Sequence, residues 1–131
     1  MSDRPRITLE DIVLDAPDAR ELADFYRRLL GAEVYAEEDD WVMLSVPASE
    51  GKFKIGLGFQ TEPNYVRPVW PATREAQQMM QHLDLGVDDL EVAGEHARSC
   101  GATLAEFQPQ DDVRVWLDPA GHPFCLFLDV G

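Results

Sequence analysis

Residues 18–32, DARELADFYRRLLGA, share a pattern with residues 88–102, DDLEVAGEHARSCGA. Six of the fifteen paired positions are identical at a spacing of 70 residues, including both ends of the stretch. An Asp followed by Glu at the third position is typical of a helix N-terminus, and Gly is a common residue just after a helix. Each stretch therefore predicts one helix, with Asp18 and Asp88 as the caps and Gly31 and Gly101 as the ends.

The apolar residues inside both stretches support this interpretation. They recur three and four positions apart, which places them on one face of a helix that lies against a core. In the first stretch these residues are Leu22, Phe25, Tyr26, Leu29 and Leu30, and in the second they are Leu90, Ala93, Ala97 and Cys100.

Strand patterns surround each predicted helix in the same order. Alternating or β-branched runs predict strands at 9–16, 34–35, 41–46 and 53–59 in the first half, and at 79–87, 104–107, 113–117 and 124–130 in the second. An acidic turn is predicted at 37–40. The chain is therefore expected to be an α+β protein of two βαβββ modules within one domain, residues 1–131. Module 1 covers about 7–60, a proline-rich linker covers 61–78, and module 2 covers about 79–131.

The composition excludes several classes of function. The 131 residues carry 25 acidic and 11 basic side chains, a net charge of −14, and 45% hydrophobic residues. A globular protein is expected, and such an acidic surface favours neither nucleic acid nor an anionic membrane. No apolar run is long enough to span a membrane, and the first residues lack a signal-peptide pattern. With two cysteines, Cys100 and Cys125, a cytoplasmic protein with free thiols is predicted.

Three motifs give the chain a family resemblance. They are Ala-Asp-Phe-Tyr at 23–26 with Leu-Gly at 30–31, His-Leu-Asp-Leu at 82–85, and Asp-Pro-Ala-Gly-His-Pro-Phe at 118–124. Together with the repeat, they resemble the vicinal oxygen chelate superfamily, which includes glyoxalase I, extradiol dioxygenases and bleomycin resistance proteins. The last motif and Trp70-Pro71 are similar to its glyoxalase-like subgroup. The resemblance implies the two-module fold and a cleft between the modules.

The resemblance also implies where a divalent metal would bind in metal-dependent relatives. Its four ligands would correspond to Asp11, His82, Cys125 and a residue between 52 and 61, where this sequence has no carboxylate and at best Gln60. The relatives use His or Gln on the first strands and Glu on the last strands. Because several positions differ, we expect no catalytic metal. The alternative is a zinc site of His82, Cys125 and Asp11, since zinc accepts N, S and O ligands.

The function that the resemblance implies is binding of a small organic molecule in the cleft. The candidate ligand-binding residues are His82, Asp11, Gln60, Trp70 and Cys125, and His82 is also the candidate acid or base. Whether the protein is an enzyme stays open. The alternatives are a metal-dependent lyase or dioxygenase, and a non-catalytic protein that sequesters an antibiotic. A homodimer is possible, as in the bleomycin-binding relatives.

Four further residues have simpler expected roles. His122 lies in the turn motif and is predicted to be structural, and His96 is expected on the solvated face of the second helix. Trp41 and Trp116 occupy corresponding strands and are expected in the core.

Overall fold

Ten elements appear in the order that the repeat predicts. The structure is a computed structural model, and it describes residues 4–47 and 55–129. Module 1 consists of β1 (Asp11–Ala16), α1 (Ala19–Leu30), β2 (Glu33–Glu38), β3 (Trp41–Ser45) and β4 (Gly56–Thr61). Module 2 consists of β5 (Leu83–Val87), α2 (Leu90–Cys100), β6 (Thr103–Leu104), β7 (Val113–Leu117) and β8 (Pro123–Leu128).

The two sheets have the same topology. Their strand orders are β1-β4-β3-β2 and β5-β8-β7-β6, so each strand of module 2 has a counterpart four strands earlier. In both sheets the first strand pairs with the last one in parallel, and the remaining neighbours are antiparallel. The predicted fold of two βαβββ modules is confirmed.

The helix ends are as predicted at three of four positions. The Asp18 side chain accepts hydrogen bonds from the first turn of α1, and Gly31 and Gly101 end the helices in the left-handed conformation. The predicted cap Asp88 is wrong by one residue, because the side chain of Asp89 accepts the backbone N–H groups of α2. Asp89 has the extended backbone, φ −148°, that a cap residue needs. Neither helix is long and apolar enough to cross a membrane in the part of the chain that the structure describes.

Several strands differ in length from the prediction. β2 runs through Glu38, so of the acidic turn predicted at 37–40 only residues 39 and 40 form the turn. β5 begins at Leu83 and not at residue 79, because Met80 has a positive φ of 65°, which a strand does not accommodate. β6 ends at Leu104, leaving Phe107 outside it and half exposed. The start of the strand expected at 53–59 lies outside the described residues, and its remaining part is observed in β4.

Aromatic rings of both modules form one core. Tyr26 of α1 stacks on Phe59 of module 1 with ring centroids 5.6 Å apart, and it meets Phe124 of module 2 edge-on at 6.2 Å. Phe25 packs against Phe124 as well, at 5.9 Å. Trp116 is buried as expected, whereas Trp41 is half-buried. Because the rings interlock across the boundary, the modules share a single hydrophobic core.

The two adjacent aspartates before α2 allow a matched test of the corrected cap. We expect Asp89→Ala to lower the free energy of unfolding by about 1 kcal/mol, because two N–H groups of the first turn lose their acceptor. Asp88→Ala should change it by less than about 0.5 kcal/mol, as an ordinary surface substitution does. Urea denaturation of both variants measures this, and the reverse order of effects would contradict the assignment.

Candidate functional site

A cavity lies between module 1, the linker and module 2. Its volume is about 350 Å³, and its lining includes Val13 and Asp15 of β1, Glu62 and Tyr65 of the linker, and His122 before β8. Leu14 and Ala16 of β1 are buried in the core. Since side chains alternate along a strand, Val13 and Asp15 project from the opposite face of β1, and Leu14 between them also reaches the cavity. The segment between the modules therefore forms one wall of the cavity.

A smaller cavity of about 140 Å³ shares part of this lining. Both cavities are lined by Leu14, Gln81 and His122. The smaller one also reaches Tyr26 and His82. His122 thus stands at the boundary of both.

Asp118, at the end of β7, organises this region from a fully buried position. Its side chain is 0% exposed, and four donors point at its two oxygens. Tyr26 Oη donates to Oδ2 at 2.8 Å, the backbone N–H groups of Ala120 and His122 donate to Oδ1 at 2.9 Å, and His122 Nδ1 lies 2.8 Å from Oδ2. A buried carboxylate is tolerated in the core when its acceptor sites are filled in this way.

The tyrosines around Asp118 stay uncharged as a result. Burial, followed by the charge of Asp118, raises the pKa of Tyr26 well above its usual value. Burial and the same carboxylate raise the pKa of Tyr65 to about 12. Both phenols are therefore hydrogen-bond donors at neutral pH and do not serve as bases.

His122 connects this buried group to the cavity. Its side chain is 14% exposed, and its Nε2 lies 3.3 Å from Tyr65 Oη. Tyr65 Oη donates to the carbonyl oxygen of Ala120 at 2.7 Å. The predicted structural role of His122 fits its bonds to the turn, and its position in the cavity wall is an addition to that role.

Two of the predicted site residues, His82 and Cys125, come together on module 2, next to the smaller cavity. His82, Asp84 and Cys125 place one potential ligand atom each within 4.8 Å of one another. His82 Nε2 lies 3.1 Å from Asp84 Oδ1, and Asp84 pairs with Cys125 across β5 and β8. The side chains of His82 and Asp84 are 37% and 59% exposed. Burial, followed by the neighbouring Asp84 charge, raises the pKa of the Cys125 thiol, which keeps it protonated and unreactive at neutral pH.

The other predicted site residues lie apart from that group. Asp11 of β1 accepts a hydrogen bond from Tyr35 Oη at 3.3 Å, and Gln60 of β4 donates to Asp15 at 3.4 Å. Trp70 of the linker donates from Nε1 to the carbonyl oxygen of Phe107 at 3.2 Å and packs on its ring. Trp70 therefore fastens the linker to module 2.

The four-ligand site of metal-dependent relatives does not fit these residues. The helix caps Asp18 and Asp89 are 71 residues apart, and the same spacing pairs Asp11 with His82 and Val13 with Asp84. Opposite Asp84 stands Cys125, but opposite Val13 stands Gly58. Module 1 thus has no side chain at the position that matches Cys125. The donors of module 2, a histidine, a carboxylate and a thiol, form a set that zinc accepts, but Asp11 is not part of it.

Comparison with known families agrees with this architecture. The family model described as glyoxalase-like domain matches residues 11–127. This chain belongs to the glyoxalase-like domain family. The vicinal oxygen chelate fold expected from the motifs is therefore confirmed for this glyoxalase-like domain. No match was found among curated proteins.

Solved structures resemble this glyoxalase-like domain over nearly its whole length. A glyoxalase/bleomycin resistance protein/dioxygenase family enzyme from Burkholderia phytofirmans PsJN is 16% identical, with a TM-score of 0.67, covering 93% of this chain and 98% of its own. A glyoxalase-related enzyme from Fulvimarina pelagi is 16% identical, with a TM-score of 0.64 and coverage of 93% and 88%. A lactoylglutathione lyase from Agrobacterium tumefaciens is 14% identical, with a TM-score of 0.60 and coverage of 95% and 96%. At these identities the similarity shows the fold alone.

Sequence reasoning missed the group of hydrogen-bonded residues around Asp118 and the position of Asp84 between His82 and Cys125. The motif at 118–124 marked the turn, and its Asp and His, four residues apart, could have suggested the buried pair. Tyr65 lies in a linker without periodicity, so no local signal connects it to His122. His96, expected on a solvated face, is exposed, but its Nε2 lies 3.1 Å from the carbonyl oxygen of Leu29 at the end of α1.

The bond between the modules can be tested by removing one oxygen. We expect Tyr26→Phe to lower the free energy of unfolding by about 2 kcal/mol, because the buried Asp118 carboxylate loses a donor. Tyr35→Phe removes the corresponding hydroxyl at an exposed site and should cost less than about 0.5 kcal/mol. Chemical denaturation of both variants provides the measurement. Equal effects would contradict a special role for the buried bond.

Proposed function

We propose that this glyoxalase-like domain binds a small organic molecule in the cavity between its modules. The observation that carries the proposal is the cavity of about 350 Å³, which has a size typical of small-molecule sites. Apolar side chains such as Val13 and Val66 line it together with polar ones such as Asn64, Tyr65 and Gln78. Such a lining offers contact area for an organic skeleton and fixed partners for its polar groups.

We further propose that this binding needs no catalytic metal. The position opposite Val13 is Gly58, which has no side chain, so module 1 offers no ligand atom at that position. His82 lines the smaller cavity, while His122 lines both. A ligand in the larger cavity would therefore meet His122 and the other polar residues that line this cavity, and not His82.

Filling the cavity with a side chain tests the proposed binding. Ligands are first identified by screening a library of small organic molecules against the isotope-labelled protein, with amide shifts of Val13, Asp15, Tyr65 and Gln78 as the reporter. Val13, 39% exposed, lines the cavity, so Val13→Trp should weaken the binding of such ligands at least about tenfold by occupying their space. The control is Val92→Trp, since Val92 is 68% exposed on α2. Unchanged affinity in Val13→Trp would place the site elsewhere.

Metal analysis tests the second proposal independently. The purified protein, incubated with zinc and then dialysed, should retain clearly less than one ion per chain. Ligand binding should be unchanged in His82→Ala and after treatment with a chelator. One tightly held ion per chain that disappears in His82→Ala would instead support the zinc alternative.

A further inference from the structure

We infer that the cavity between the modules takes an organic cation with N–H donors, and that His122 accepts one of these donors through Nε2. This inference rests on the proposed function and specifies the class of ligand. It assigns a binding role to His122, which the family resemblance does not suggest.

Asp118 determines which nitrogen of His122 carries the proton. An ionised carboxylate only accepts hydrogen bonds, and three donors besides the imidazole already point at it. His122 Nδ1, 2.8 Å from Asp118 Oδ2, must therefore carry its proton. In the neutral ring, Nε2 is then left as an acceptor with its lone pair directed away from Asp118.

The neighbouring tyrosine does not fill this acceptor. Tyr65 has one hydroxyl proton, and its bond to the carbonyl oxygen of Ala120 is 2.7 Å, against 3.3 Å to His122 Nε2. With that proton used, Tyr65 presents a lone pair, so its oxygen is a second acceptor beside Nε2. A ligand that donates an N–H group satisfies both atoms.

The rest of the polar lining favours a positive charge. Asp15 and Glu62 are two acidic residues of the lining, and Asn64 and Gln78 are two further polar ones. One oxygen of Asp15 accepts a hydrogen bond from Gln60, and one oxygen of Glu62 accepts one from the backbone N–H of Asn64. Among the described residues that line this cavity, none is Lys or Arg. The guanidinium of nearby Arg67 is directed to the carbonyl oxygen of Pro119, at 3.1 Å. An anion would meet two like charges here, whereas a protonated amine or amidine gains charge-assisted hydrogen bonds.

Three single-ring probes of similar shape separate charge from fit. Benzamidinium is a cation with N–H donors, benzamide is its neutral counterpart, and benzoate is the anion. The three probes are compared at about pH 8. We expect benzamidinium to bind at least about tenfold tighter than benzamide at low salt, with no measurable binding of benzoate. Amide shifts at Asp15, Tyr65 and His122 locate the bound probe.

Three variants identify the residues responsible. His122→Asn retains an amide donor for Asp118 but removes the acceptor at the Nε2 position, and His122→Gln can place an amide oxygen near that position. Asp15→Asn removes one charge. We expect His122→Asn and Asp15→Asn each to weaken benzamidinium binding at least about fivefold, with His122→Gln less affected. Thermal unfolding checks that each variant is folded, and Asp15→Asn serves as the folded test if His122→Asn is not.

The outcomes separate this inference from the proposed function. Binding of benzamide or benzoate as tightly as benzamidinium overturns the inference, as does unchanged benzamidinium affinity in both His122→Asn and Asp15→Asn. If no probe binds but other library molecules shift the cavity amides, the inference fails and the proposed function stands. If no molecule shifts those amides, both fail. Binding of benzamidinium that persists in Val13→Trp shows nonspecific attraction to the acidic surface and also overturns the inference.

Discussion

The hydrogen bond between Tyr26 and Asp118 is the constraint around which this molecule is arranged. It joins the helix of one module to the strand end of the other, inside a core where each residue is almost fully buried. Because Asp118 is charged and buried, the groups around it must supply donors. The turn from 118 to 122 folds back to give two of them, and the histidine of that turn gives another. The same bond that fixes the module boundary therefore fixes one wall of the cavity.

Much of the fold could be predicted from the sequence because the patterns that define its helices and strands are local and occur in both modules. Helical spacing, Gly31 and Gly101 define two helices, and the repeat predicts two sheets of equal topology. The errors arise where local patterns are ambiguous. Asp88 and Asp89 both suit a cap, and the extended backbone at Asp89 decides between them. The candidate site was less predictable, since Tyr26, Tyr65 and His122 meet only through contacts between distant parts of the chain.

The structure also separates two features that the family resemblance placed together. One is the cluster of His82, Asp84 and Cys125, whose donors lie on module 2 alone. The other is the cavity, which is lined by residues of both modules and of the linker. Asp118 and His122 form a buried pair, with side chains 0% and 14% exposed, whereas those of His82 and Asp84 are 37% and 59% exposed. The described lining of the larger cavity thus includes none of the residues that correspond to metal ligands in relatives.

Gly58 has a consequence for how this chain can change over time. A Cβ atom built there would lie 2.6 Å from the sulfur of Met43 and 3.1 Å from a methyl group of Val13. The thioether of Met43, 4% exposed, has taken the space that a larger side chain at 58 would need. The side chain of a glutamate at position 58 would clash with Met43 and Val13 in their present positions. A side chain at position 58 would therefore require Met43 to move or to be replaced by a smaller residue.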